Sequence, residues 1–208
     1  MKHLLLALCA AATLSTNAQT GHDTLDHTLS IFVERPLYEG GSWLQLNGFQ
    51  YEGWKQGARR TRVFAALGDL RNSGGYLGTR NWDRYEVYHT AIMGVVGAAL
   101  LWEKDWKHAG LYAGPELRVG AGGGQTSFYY PGYYTDKGDY GPAFYGGICA
   151  LAGAKYLLGN WVLSAELSSV MHFSMSRRTN YDDRKYWDGI GTFGIGDFNT
   201  RIGVGYRF

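Results

Sequence analysis

The stretch FNTRIGVGYRF, Phe198 to Phe208, alternates with a period of two. Phe198, Thr200, Ile202, Val204, Tyr206 and Phe208 fall on one face, and Asn199, Arg201, Gly203, Gly205 and Arg207 on the other. Side chains of an extended strand point alternately to its two sides, so one side here is apolar and the other small or charged. That pattern suits a strand with lipid against one face and a polar interior against the other.

The same alternation recurs upstream. Period-two patterning predicts strands at 28–36, 42–52, 59–67, 84–101, 109–122, 141–157, 161–175 and 198–208. Eight is an allowed even count for a closed antiparallel barrel, and most segments reach the roughly 9–11 residues a tilted membrane strand needs. Short joins at Gly53–Ala58, Trp102–His108 and Leu158–Asn160 alternate with long ones at Gly68–Asp83, Gly123–Tyr140 and Ser176–Asp197; only Leu37–Gly41 breaks the rule. Short inner turns and longer external loops mark a membrane barrel, whereas a soluble eight-stranded barrel has no reason to show them. The expected fold is therefore all-β: an eight-stranded antiparallel transmembrane β-barrel behind an N-terminal signal peptide. A secreted, soluble ligand-binding barrel is the competing architecture.

Face assignments follow from the same periodicity. Leu163, Ala165, Leu167, Met171, Phe173 and Met175 oppose Ser164, Glu166, Ser168, His172 and Ser174. Leu111, Ala113, Leu117 and Val119 oppose Tyr112, Glu116 and Arg118, and Leu29, Ile31 and Val33 oppose Ser30, Phe32 and Glu34. In the second segment Leu44 and Leu46 take the lipid face, opposite Gln45 and Asn47. Pro115 has no amide to donate to a ladder, so a bulge or a missed boundary is expected there. If the polar faces point inward, Glu34, Glu86, Glu116 and Glu166 meet a set including Arg62, Arg118, Arg201 and Arg207. Eight strands leave a lumen barely wide enough for side chains, so a packed polar core is expected and a solute pore is not.

At the N-terminus, Lys2, the apolar run Leu4 to Leu14 and the small residues before Gln19 read as a secretory signal over residues 1–18, cleaved near Ala18, with the barrel over 19–208. The run falls short of the roughly 20 residues of a membrane-spanning helix. Cys9 lies within it, which leaves Cys149 alone and no intramolecular disulfide. Composition agrees with close-packed strands and interfacial rings: 31 glycines, 16 tyrosines and 7 tryptophans against 4 prolines. Trp54, Trp102, Trp106, Tyr156, Trp161, Tyr206 and Phe208 all fall at the short-turn end, where an aromatic girdle belongs. A formal charge of +2 argues against a nucleic-acid partner, and Arg59, Arg60 and Arg62 read as barrel or rim charges.

Sharper chemistry is sparse. Gly120, Gly122, Gly123 and Gly124 lack the Gly-Lys-Ser/Thr and helix of a phosphate loop. No histidine or cysteine cluster suggests a metal site, no cofactor motif occurs, and the pairs Asp136/Asp139 and Asp182/Asp183 read as solvated loop carboxylates rather than calcium ligands. Phe128, Tyr129, Tyr130, Tyr133, Tyr134 and Tyr140 crowd one external loop, and Tyr181, Tyr186 and Trp187 the last. They read either as stacked loop rings or as a recognition surface for extracellular protein or saccharide.

The signal, eight strands, polar interior and Tyr206-Arg207-Phe208 ending resemble the small bacterial outer-membrane barrels of the OmpA-transmembrane-domain and OmpX-like class. The resemblance implies a bacterial outer-membrane location, contact with outer-membrane lipid and lipopolysaccharide, recognition of the terminal aromatic by the outer-membrane assembly machinery, and a non-enzymatic role in surface interaction or envelope integrity. A second resemblance implies catalysis instead. His172-Phe173-Ser174 with the later Asp197 looks like the outer-membrane lipid A 3-O-deacylase family, which would make Ser174 the nucleophile, His172 its base and Asp197 the orienting acid. Met175 stands where that family has asparagine, and Asp197 where it has glutamate. Period two also turns His172 and Ser174 to the side of Glu166, away from lipid.

Overall fold

Eight strands each find an antiparallel neighbour on both sides, and the sheet closes on itself. The computed structural model describes residues 27–37, 42–77, 84–130, 133–137, 141–179, 185–192 and 198–208. The expected signal segment and Asp197 lie outside these residues. Ten strands occur: β1 (Thr28–Pro36), β2 (Ser42–Gln56), β3 (Arg59–Leu77), β4 (Arg84–Asp105), β5 (Ala109–Tyr130), β6 (Tyr133–Lys137), β7 (Gly141–Leu158), β8 (Trp161–Thr179), β9 (Lys185–Thr192) and β10 (Phe198–Arg207). The closed ring is β10-β1-β2-β3-β4-β5-β7-β8, sealed by β10 against β8, which makes an eight-stranded antiparallel barrel.

The register sets the barrel's shape. Starting at Ser164 in β8, successive partners are Gly203, Phe32, Gly48, Ala66, Val95, Gly120 and Tyr145, and the path meets β8 again at Ser174, ten positions on. For eight strands that stagger gives a tilt of about 40° and a barrel radius of about 8 Å. At that radius the inward side chains meet across the axis.

Two expectations about strand extent are corrected. β3 runs to Leu77 rather than 67, and β4 and β5 reach 22 residues each. Segments expected to be external loop hold further ladders: β6 pairs with the top of β5, and β9 with the top of β8 from His172↔Thr192 to Thr179↔Lys185. A strand of 22 residues tilted by about 40° rises roughly 55 Å, about twice the ~25 Å apolar band of a membrane barrel. The excess lies where lipid no longer imposes an apolar/polar contrast, which is why period two failed to report it.

At the opposite end the turns are tight. Gly57 and Gly159 adopt φ of 61° in the two-residue connections after β2 and β7, as such hairpins require of one turn residue. Trp54, with φ of 49°, sits in the irregularity between Gly53 and Gln56. Pro115 causes no bulge. Its exposed ring stands on β5 in unbroken register with Ala150 of β7, and the β4–β5 register is the same on both sides of it, from Ala99↔Glu116 to Trp102↔Ala113. Beside it, Gly114 lies so near β4 that a Cβ would collide with the Leu100 backbone oxygen.

Candidate functional site: a filled lumen beneath an external rim

The inward faces of the eight strands build two layers. Toward the short-turn end lies a charged layer whose buried members, among the described residues, are Glu34, Glu52, Glu103, Glu116 and Glu166 with Arg60, Arg62, Arg118, Arg201 and Lys155. Five acids face five bases, so the layer carries no net charge to attract an ion of either sign. Glu34 accepts from Arg118 Nη1 at 2.6 Å and Nη2 at 3.1 Å, from Arg201 Nε at 2.9 Å and from Asn199 Nδ2 at 2.9 Å. Glu116 accepts from Arg118 Nε at 2.7 Å and from Arg201 Nη1 and Nη2 at 3.0 and 2.8 Å. Two arginines and two glutamates thus share one lattice tying β1, β5 and β10 across the barrel.

Arg62 extends the lattice downward. Its Nε and Nη2 donate to Glu52 Oε1 at 2.9 and 2.7 Å, and its Nη1 lies 2.7 Å from Glu166 Oε1, which also accepts from Tyr112 Oη at 2.9 Å. Below, Glu103 binds both Arg60 and Lys155, and Lys155 reaches Asp105 at 3.0 Å. The rings complete the fit: the Arg201 guanidinium lies 4.6 Å from the Phe32 ring centre and 5.0 Å from that of Phe64. Sequence patterning placed Glu34, Glu116, Glu166, Arg62, Arg118 and Arg201 inside and read Arg60 as a barrel or rim charge, but it missed Glu52, Glu103 and Lys155, which sit near strand ends or within a turn as first bounded. The side chain of Glu86 lies outside those described, and Arg207 is half-buried at the short-turn mouth.

Above the charges the lumen becomes apolar, which corrects the expected all-polar interior. Leu44, Leu46, Leu70, Met93, Val95 and Tyr145 are buried in one cluster with Phe32 and Phe64. Leu44 and Leu46 therefore point inward, with Gln45 and Asn47 on the outer wall, the reverse of the sequence assignment. The alternation in β2 is real. Its sense is inverted because the upper lumen is itself a greasy environment.

His172 and Ser174 are both buried on the inward face of β8, opposite Gly147 and Tyr145 of β7. The His172 ring lies 5.7 Å from that of Tyr145. Leu167, Met171 and Phe173 are exposed on the outer wall of the same strand, so the facing inferred from period two holds. Lipid at the outer wall therefore meets Phe173 and not the histidine or serine. Cys149 is buried beside this layer.

The outer wall is apolar and ringed by aromatic side chains. Leu29, Ile31, Leu67, Ile92, Leu117, Ile148 and Ile202 are all exposed on it. Trp54, Trp102, Trp106, Tyr156, Trp161, Tyr206 and Phe208 are exposed at the short-turn end, from 40% for Phe208 to 64% for Trp54. So much exposed hydrocarbon around a charged interior is what a bilayer requires and what water penalises. The flanks that would have to converge inward in a soluble barrel face outward. At the other end Trp187 of β9 packs against Phe144 at 5.6 Å, so this ring, expected in a loop, belongs to a strand. The backbone of Phe128, Tyr129, Tyr130, Tyr133 and Tyr134 lies in the β5–β6 hairpin, while Asp139, Tyr140, Tyr181, Asp182 and Asp183 fall outside the described residues.

Comparison with solved structures fits this geometry. A major outer membrane protein from Thermus thermophilus superposes with a TM-score of 0.50 at 11% identity, over 88% of this chain and 99% of that one. The chain is similar in fold to a bacterial outer-membrane barrel. The attachment invasion locus protein Ail of Yersinia pestis (TM-score 0.39, 15% identity, 88% of this chain and 96% of that one) and OprG of Pseudomonas aeruginosa (0.42, 12%, 90% and 98%) are also retrieved. No protein-family model matches the sequence, and no curated protein does.

Proposed function

We propose that this chain is a non-enzymatic integral protein of the bacterial outer membrane whose external strands and loops form a recognition surface for an extracellular protein or saccharide. The observation that carries the reading is the contrast between the two halves of the molecule. The membrane-level lumen is filled by neutralised charge and then by hydrocarbon, so the barrel serves as a rigid mount rather than a conduit. The backbone beyond the lipid band continues as paired strands β5–β6 and β8–β9. Ladders hold a loop in shape without lipid, and aromatic side chains on such a frame give contact area at low entropic cost. The partners are outer-membrane lipid and lipopolysaccharide along the wall, the outer-membrane assembly machinery during insertion, and a surface ligand at the rim.

Whole-cell binding tests the reading. Cells displaying the protein, and cells displaying a variant with residues 126–140 replaced by a two-residue turn, are compared on arrays of saccharides and matrix proteins. Retention lost with the hairpin supports it. Equal retention by both, or none by either, refutes it. For the hydrolase alternative, lipid A mass is measured on expression of the wild type and of Ser174→Ala. With His172 and Ser174 turned inward, both leave lipid A intact; an acyl loss abolished by Ser174→Ala would overturn the non-enzymatic reading.

A further inference from the structure

Among the described residues, a polar patch interrupts the hydrocarbon of the outer wall on β10, β1 and β2. Arg35 points outward from β1 between Val33 below and Leu37 above, both exposed apolar residues. Its neighbours across the ladder are Thr200 of β10, with Ile202 below and Phe198 above, and β2, where Asn47 faces out above Phe49. Arg35 lies six positions along β1 from Leu29, the partner of the girdle residue Tyr206. At the barrel's tilt this places the Arg35 backbone about 15 Å above the girdle, inside a band about 25 Å tall.

The guanidinium is held in place by neutral groups among the described residues. Nη1 donates to the Glu34 carbonyl at 2.9 Å and Nη2 to Asn47 Oδ1 at 3.2 Å, while the Thr200 hydroxyl donates to the Arg35 carbonyl at 3.3 Å. The Glu34 carboxylate points into the lumen and belongs to Arg118 and Arg201. Among the described residues no carboxylate comes within ion-pair distance of Arg35. Among the described residues these contacts use two of its five N–H groups, and the Asn47 amide accepts without donating. Two donor groups therefore converge on one spot of the lipid-facing wall. Next to it a groove of about 520 Å³ runs over β2–β4, lined by Asn47, Leu67, Asp69, Arg71, Thr90 and Ile92. Its lower edge is apolar and its upper edge polar, the profile of a lipid at its headgroup boundary.

We infer that Arg35 and Asn47 form a binding site for the phosphate of an outer-leaflet lipid headgroup, drawn below the general headgroup level, with the remainder of the lipid lying along the β2–β4 groove. An arginine at this depth needs an anion within reach, and its fork suits two phosphate oxygens at once. A second copy of the chain fits less well. A two-fold contact through this patch would set Arg35 against its own image, and Asp69, the nearby acid, already faces Arg71 at 3.9 Å.

Native mass spectrometry of the detergent-solubilised barrel tests this, with folding of each variant checked first by heat-modifiable gel mobility. The full chain and Arg35→Gln are titrated with phosphatidic acid and with diacylglycerol of the same acyl composition, which lacks only the phosphate. Wild type is expected to retain phosphatidic acid at about tenfold lower concentration than Arg35→Gln, with Arg35→Lys between them and Lys104→Gln, an outward cation at the short-turn end, like wild type. Diacylglycerol should not distinguish the proteins. Equal retention by Arg35→Gln, a preference that survives loss of the phosphate, or a dimer abolished by Arg35→Gln would each overturn the site. The external recognition surface is probed by a different variant and readout, so either result stands without the other.

Discussion

Removing Glu34 alone should cost the barrel far more than removing Glu34 together with Arg118. Glu34 is fully buried and accepts four hydrogen bonds from Arg118, Arg201 and Asn199. In Glu34→Leu two arginines compete for Glu116, with Glu166 at 3.6 Å from Arg201 as the remaining acid nearby. One buried positive charge is left without its partner, and breaking such a pair typically costs about 3–5 kcal/mol. Glu34→Leu with Arg118→Met removes one charge of each sign and leaves Arg201 bidentate on Glu116 at 3.0 and 2.8 Å. The double variant should therefore lose only about 1–2 kcal/mol, mainly through the Asn199 amide and imperfect packing. The measurement is reversible urea unfolding of the barrel in lipid vesicles, followed by tryptophan fluorescence and gel mobility, with Arg118→Met closing the double-mutant cycle. A double variant as unstable as the sum of the two singles would refute the claim that the lattice works by mutual neutralisation.

Three further outcomes follow from the same geometry. Leu167→Arg, on the outer wall of β8 near the middle of the band, should destabilise the inserted barrel by about 2–4 kcal/mol, and Leu158→Arg at the short-turn margin by at most about 1 kcal/mol; vesicle-based urea titrations compare them. Gly114→Val puts a branched side chain against the Leu100 carbonyl, so the β4–β5 ladder must part there and the heat-modified gel species should not form at temperatures the wild type withstands. Proteoliposomes bearing the wild type should not swell in arabinose or glycine, since the lattice and the apolar layer fill the lumen; swelling above that of empty liposomes would contradict the packing.

The strand count, the antiparallel closure and the inward charges were legible because they rest on local alternation. In β8 the pattern around Leu163, Glu166 and Phe173 assigns both faces correctly, since lipid lies on one side and charge on the other. β2 shows where that logic stops. Leu44 and Leu46 alternate with Gln45 and Asn47 as clearly as any pair in the chain, yet the leucines point into the lumen. Periodicity separates two faces without naming which is inside, and the lumen here changes from charged to apolar along its axis. The ladders of β6 and β9 were missed for a related reason: beyond the lipid band both faces meet water or each other, and composition no longer alternates. His172 and Ser174 were found by motif and assigned by parity, and the structure supports the parity.

By itself the sequence determined that this chain makes a closed antiparallel barrel, with aromatic rings at the short-turn end and acids and bases in its lumen, because strand periodicity and turn spacing are properties of neighbouring residues. Which arginine meets which glutamate, where the lumen turns apolar, and that Arg35 stands outward with no carboxylate at ion-pair distance among the described residues were decided only by the tertiary structure. Those facts depend on the ten-residue stagger around the barrel, a quantity set by all eight ladders at once and written in no single strand.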